Sequence, residues 1–135
     1  MKKIEWTDEY SVGVEKLDNQ HKNIINFINK LISNPEIDVH SETLHDILQE
    51  MMRYSKEHLY DEEMLLRQNG YSDFDTHVNY HMEYLEKFAE LSLSVTESDL
   101  TVPADLLSFL RNWWANHILV EDMKYKSFFN DKGIY

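Results

Sequence analysis

Apolar residues recur at helical spacing in four successive stretches of this chain, and no stretch alternates with period two over a strand's length. The first stripe runs Leu17, His21, Ile24, Ile25, Ile28, Leu31 and Ile32. The second runs Leu44, Ile47, Leu48, Met51, Met52, Ser55, His58, Leu59, Glu62, Leu65 and Leu66. The third carries Phe74, His77, Val78, His81, Leu85, Phe88 and Leu91, and the fourth Leu106, Leu110, Trp113, His117 and Val120. Breaks fall at Pro35, at Asn69-Gly70, where glycine suits a left-handed helix cap, and before Pro103, which fits a first helical turn. They predict helices at about 18–33, 41–68, 73–94 and 103–129 behind an arm of about 1–17, in one domain of residues 1–135. Four amphipathic helices with short connections imply an all-α fold, an up-down-up-down antiparallel four-helix bundle with an N-terminal arm.

Composition removes several classes of function. The chain has no cysteine, which excludes disulfides, thiolate metal sites and a cysteine nucleophile. A formal net charge of −12 opposes nucleic acid and anionic membrane. No apolar run approaches the roughly 20 residues needed to cross a bilayer. The opening Met1-Lys2-Lys3-Ile4-Glu5-Trp6 lacks the apolar stretch of a secretory signal. The expectation is a cytoplasmic protein without membrane insertion or nucleic-acid partner.

The stripes also carry a problem. His21, His58, Glu62, His77, His81 and His117 all fall on faces that should point into the bundle. A buried histidine or glutamate costs several kcal/mol unless it is paired, hydrogen-bonded or bound to a metal. One such residue is ordinarily a satisfied core polar group. Six of them on four helices cannot easily satisfy one another, because five are imidazoles and only one is a carboxylate. A metal centre supplies the positive partner that all of them want.

Spacing supports that reading. His58-x-x-x-Glu62 and His77-x-x-x-His81 each place two donors on one helix face, about 5–6 Å apart. Asp122 lies five residues beyond His117, some 140° further round an ideal helix. The two can serve one site only if they straddle it or if the helix carries a π-bulge. Seven ligands exceed one tetrahedral zinc, and calcium would want oxygen throughout. If two octahedral ions share Glu62 and Asp122 as bridges, five imidazoles, four carboxylate oxygens and a bridging oxo or hydroxo group fill all positions but one.

With these motifs assembled, the sequence resembles the hemerythrins, in particular the single-domain bacteriohemerythrins, over essentially its whole length. The residues that carry the resemblance are Trp6-x-x-x-Tyr10-x-Val12-Gly13-Val14, Asp18-Asn19-Gln20-His21, His58-x-x-x-Glu62, His77-x-x-x-His81 and His117-Ile118-x-x-x-Asp122-x-x-Tyr125. The resemblance implies two iron ions, oxo- or hydroxo-bridged, and reversible binding of O₂ for oxygen storage, delivery or buffering. It implies that His77, His81 and His117 hold one iron, that His21 and His58 hold the other, and that Glu62 and Asp122 bridge. O₂ would then bind at the His21/His58 iron. Ile28, Leu59, Trp113, Trp114 and Ile118 flank these ligands and are candidates for a dry O₂ pocket, a role compatible with ordinary core packing.

Trp114 departs from the family pattern, in which many members carry leucine at that place in Trp-Leu-x-x-His, and a larger ring there is expected to alter ligand access. Glu42-x-x-His45 mimics a ferritin-like di-iron motif, but that fold needs a second copy, so His40, Glu42 and His45 read as helix-end residues. Two other functions compete with oxygen carriage. One is an oxygen or redox sensor acting through a partner, and the other a di-iron oxidase, peroxidase or nitric-oxide-handling enzyme. No acid, base or nucleophile constellation accompanies the ligands, which favours a binding protein over an enzyme. The expected state is a monomer, with an unidentified protein recipient of oxygen as a possible partner.

Overall fold

The computed structural model describes residues 1–34, 42–96 and 102–135. Helices α1 (Glu15–Ser33), α2 (Glu42–Gln68), α3 (Phe74–Thr96) and α4 (Val102–Asn116) form an antiparallel four-helix bundle. α1 packs on α2 and α4, and α3 closes the ring by packing on α2 and α4. There is no strand among the described residues. Nor is any helix among them long and apolar enough to cross a membrane. His40 and Pro35 lie outside the described residues; of the other helix-end residues, Glu42 is exposed and His45 half-buried.

α1 starts at Glu15, a few residues before the stripe alone predicts. The reason lies in the arm. Gly13 takes φ +75° and Val14 is extended, so the chain turns sharply into the helix. The Asp18 carboxylate then reaches back to accept from the Val12 N–H (2.8 Å) and the Ser11 hydroxyl (2.6 Å). The arm is not a loose tail. Asn29 clamps Ile4 from both sides, accepting from its N–H and donating to its carbonyl at 2.9 Å each. Ile4, Val12 and Val14 are buried with the bundle core.

α2 ends in a paired cap around Gly70, φ +73°: the Tyr71 N–H donates to the Leu66 carbonyl (3.0 Å) and the Gly70 N–H to Arg67 (3.2 Å). The expected fourth helix, about 103–129, is interrupted. α4 passes into a π-helical turn at His117–Glu121, then a 3-10 turn at Asp122–Tyr125, then α5 (Lys126–Asp131). Leu17, Ile24, Ile28, Met51, Phe88, Leu110 and Phe129 are wholly excluded from solvent. Each such side chain contributes about 1.5–3 kcal/mol relative to exposure, enough to carry polar groups in the same interior.

Candidate metal centre

Eight polar or charged side chains lie buried in the described structure, and seven of them are His21, His58, Glu62, His77, His81, His117 and Asp122. α1 supplies His21, α2 His58 and Glu62, and α3 His77 and His81. His117 opens the π-turn and Asp122 follows it. The π-turn is closed by the Asp122 N–H donating to the His117 carbonyl, five residues back. This wider turn absorbs one residue and brings the two side chains to one face, resolving in favour of the π-bulge what helical periodicity leaves open. The same turn rotates Val120 outward: the residue expected on the inner stripe is 46% exposed.

All five imidazoles aim Nε2 at the same space. Glu62 Oε1 lies 2.6 Å from His77 Nε2 and 3.2 Å from His81 Nε2, while Glu62 Oε2 lies 3.3 Å from His58 Nε2. Asp122 Oδ1 is 3.1 Å from both His77 and His117 Nε2, and Asp122 Oδ2 is 3.2 Å from His21 Nε2. His81 and His117 bring their Nε2 atoms to 3.1 Å of each other. The donors divide into two groups that share Glu62: Glu62, His77, His81, His117 and Asp122 in one, His21, His58 and Glu62 in the other.

Several of these atoms have no hydrogen-bond partner. Both ring nitrogens of His21, the Nε2 of His58 and both oxygens of Asp122 are buried and unsatisfied. Orphaned groups of this kind normally cost about 1–3 kcal/mol each. Lone pairs of nitrogen and oxygen converging without donors are what a cation requires, and the set fits a pair of metal ions that bind imidazole and carboxylate.

The outer ring nitrogens of His58 and His81 are held by the surrounding protein. His58 Nδ1–H donates to Gln20 Oε1 (2.7 Å), and Gln20 Nε2 in turn donates to Asp61 (2.9 Å). His81 Nδ1–H donates to Glu63 (3.2 Å). These bonds fix the tautomer that leaves each Nε2 lone pair facing inward. The Tyr125 hydroxyl donates to Glu62 Oε2 at 3.0 Å, orienting that carboxylate. Helical stripes do not reveal Gln20 or Glu63, because both sit one residue beside an inward ligand.

Charge in the metal-free centre is shared among these groups. Burial alone would lower the His21 and His77 pKa values, but the carboxylates of Asp122 and Glu62 outweigh it and raise them to about 9 and about 10. Burial raises Glu62, yet the four imidazoles facing it, His21, His58, His77 and His81, hold it well below the usual carboxylate range. Burial and the charge of Glu62 raise Asp122, but His117 and His21 overcome them and hold it low. His58 goes the other way: burial lowers it and Glu62 does not compensate.

The five candidate pocket residues divide. Ile28, Leu59, Trp114 and Ile118 are buried in the core. Trp114 stands beside the smaller donor group, its ring 5.8 Å from His58 and 6.4 Å from His21. Trp113 is only partly buried and stacks flat on His117, 4.2 Å away at 12°, beside the larger group. The third stripe also needs one change of register. Tyr84 is fully buried where Leu85 was expected to lead, and Leu85 is only half-buried. Tyr84 lies three residues after His81 and seven after His77, a spacing that identifies it.

Comparison with known proteins agrees with this architecture. The family model described as the hemerythrin HHE cation binding domain matches residues 12–129. The chain is 29% identical to a myohemerythrin of Theromyzon tessulatum over 122 residues, covering 90% of each. It is 31% identical to a bacteriohemerythrin of Methylococcus capsulatus over 121 residues, covering 89% of this chain and 92% of the relative. A crystal structure of wild-type hemerythrin superposes with a TM-score of 0.83 at 28% identity, covering 92% of this chain and 95% of the other.

Proposed function

This chain belongs to the hemerythrin family, and from that premise we propose that it binds O₂ reversibly at a di-iron centre, for oxygen storage, delivery or buffering. In this reading His77, His81 and His117 would hold one iron, His21 and His58 the other, and Glu62 and Asp122 would be shared between them. The observation that carries it is the unequal division of the buried donors: three imidazoles on one side of Glu62 and two on the other. The side with fewer donors is the one with a position for an exchangeable ligand.

A ferrous pair, when bound, supplies the electrons that let O₂ bind as a reduced ligand and takes them back on release. The protein's share is to hold and shield. Five neutral imidazoles and only two carboxylates favour the reduced metal pair over higher oxidation states. Tyr125 orients Glu62 through the 3.0 Å bond to Oε2. Ile28, Leu59, Trp114 and Ile118, all 2% exposed or less, exclude water from the ligand side. Exclusion of water removes the proton source that would turn release of O₂ into irreversible oxidation. The same reading takes the protein as a cytoplasmic monomer and a binding protein rather than an enzyme.

The test is a visible spectrum of the reduced, iron-loaded protein through repeated cycles of air and argon, with iron counted per chain. Reversible colouring at two irons per chain is the expected result. Irreversible single-turnover oxidation would overturn it in favour of a sensor or an oxidase.

A further inference from the structure

One buried polar chain takes no part in holding the metal centre. The Trp114 indole N–H donates to the Tyr84 hydroxyl at 3.0 Å, and that hydroxyl is 2.9 Å from Ser55 Oγ. All three residues are 0% exposed, and they come from three different helices. An indole nitrogen is a donor only. The Tyr84 oxygen therefore accepts from Trp114, and the Tyr84 and Ser55 hydroxyls share a second hydrogen bond in which either can be the donor. The chain cannot relay protons to the centre, because the indole N–H at its inner end has no lone pair to pass one on. What it can do is fix a ring. Trp114 meets Tyr84 edge-to-face at 5.1 Å and 74°, and Trp113 edge-to-face at 5.0 Å and 84°. Its other side borders His58 and His21.

We propose that Tyr84, backed by Ser55, is a positioning residue that locks the Trp114 indole against the His21/His58 side of the centre and so makes the site a size filter. Diatomic ligands such as O₂ and nitric oxide enter, and a linear triatomic anion such as azide is hindered. This rests on the reading that the exchangeable ligand binds on the His21/His58 side. A tryptophan free to rotate would move aside for a longer ligand; one tethered at its N–H and clamped by two aromatic rings does not. The lock thus acts through Trp114 and touches neither metal nor ligand itself.

The experiment compares four iron-loaded proteins: the parent, Tyr84→Phe, Trp114→Leu and the double variant. Azide association with the oxidised protein and nitric oxide association with the reduced protein are followed by stopped-flow absorbance. Hydrogen exchange of the Trp114 indole N–H is read by NMR in the parent and Tyr84→Phe. Azide association should rise about tenfold in Tyr84→Phe and at least as much in Trp114→Leu, within the range over which related association rates vary. The double variant should match Trp114→Leu alone, because Tyr84 has nothing left to hold. Nitric oxide rates should change less than twofold, and indole exchange should accelerate in Tyr84→Phe. A purely structural tyrosine would lower the melting temperature while leaving azide rates unchanged, and that result overturns the proposal. Equal acceleration of azide and nitric oxide overturns the size filter. If Tyr84→Phe fails to load two irons, Trp114→Phe, which has a ring but no N–H to tether, carries the same expectation. A parent protein that loads two irons and binds azide yet fails the air and argon cycles defeats oxygen carriage alone; one that loads no iron defeats both.

Discussion

His21 and His77 stand between two ionised carboxylates, and their raised pKa values of about 9 and about 10 make the metal-free protein sensitive to alkali. Below the ordinary imidazole range of about 6.5 the rings are charged whether folded or unfolded, and their ion pairs with Glu62 and Asp122 stabilise the fold in full. That contribution fades as pH rises and is gone once the folded-state values are passed. Glu62 and Asp122, held low, contribute in the opposite sense: their share is present above about pH 4 and is lost on acidification. Calorimetry of chelator-treated protein should therefore show a melting temperature that falls between about pH 6.5 and pH 10. The loaded protein should hold its melting temperature across that window, because metal takes the place of the protons. Replacing His58 by alanine should cut bound iron from two per chain to about one, measured by elemental analysis, with the larger donor group retained. Six of the seven candidate ligands were legible from stripe position, since each is an inward polar residue in an apolar row. Gln20 and Glu63 were not, because a residue that grips the outer edge of a ring lies off the buried stripe. Tyr84 was overlooked for a different reason: its spacing from His77 and His81 places it on the inner face, but an aromatic with a hydroxyl suits surface and core alike.

At the scale of elements, the π-turn at His117–Glu121 carries the most chemistry per residue. It behaves as one residue inserted into an α-helix, so that positions five apart share a face. Val120, 46% exposed and outside the donor groups, is the natural residue to remove. Its deletion should convert the π-turn to an ordinary α-turn with Asp122 still facing His117, and both irons should be retained. Inserting an alanine after Val120 should swing Asp122 out of the centre and reduce iron to one per chain or fewer. Elemental analysis of the two variants, with circular dichroism to confirm that helix content persists, distinguishes the cases. The four helices themselves were readable because 3.6-residue periodicity is a property of the sequence. The π-turn was not readable as such, since periodicity presumes the very pitch that the turn breaks. A ligand pair five apart marks the anomaly without choosing between straddling and bulging.

Across the whole molecule, the arm and the C-terminal segment lock together at Gly13. A Cβ at that position would come within 2.7 Å of the Asn130 amide, and φ of +75° is itself strained for any other residue. Turned with its nitrogen toward the backbone, that amide donates to the Gly13 carbonyl (3.1 Å) and the Ile134 carbonyl (3.0 Å). Gly13→Ala should therefore cost about 1–2 kcal/mol from backbone strain, with the clash in addition. Thermal unfolding should show it as a melting temperature lower by roughly 3–10 °C. The bundle as a whole was legible from four stripes, whereas the arm, having no period, could be placed only by its contacts: Ile4 on Asn29, Ser11 and Val12 on Asp18, Gly13 beside Asn130.

The division of the donors has a consequence in time. Synthesis proceeds from the N-terminus, so a growing chain presents His21, then His58 and the shared Glu62, before any histidine of the larger donor group exists. Asp122 is made last of all, beyond the turn that aims it. A nascent bundle therefore offers only the smaller part of the cage, and the complete cage appears once α4 and the π-turn that follows it have docked. Metal uptake would in this sense be a finishing step, with the protons of His21 and His77 among those that a cation must displace from the completed cage.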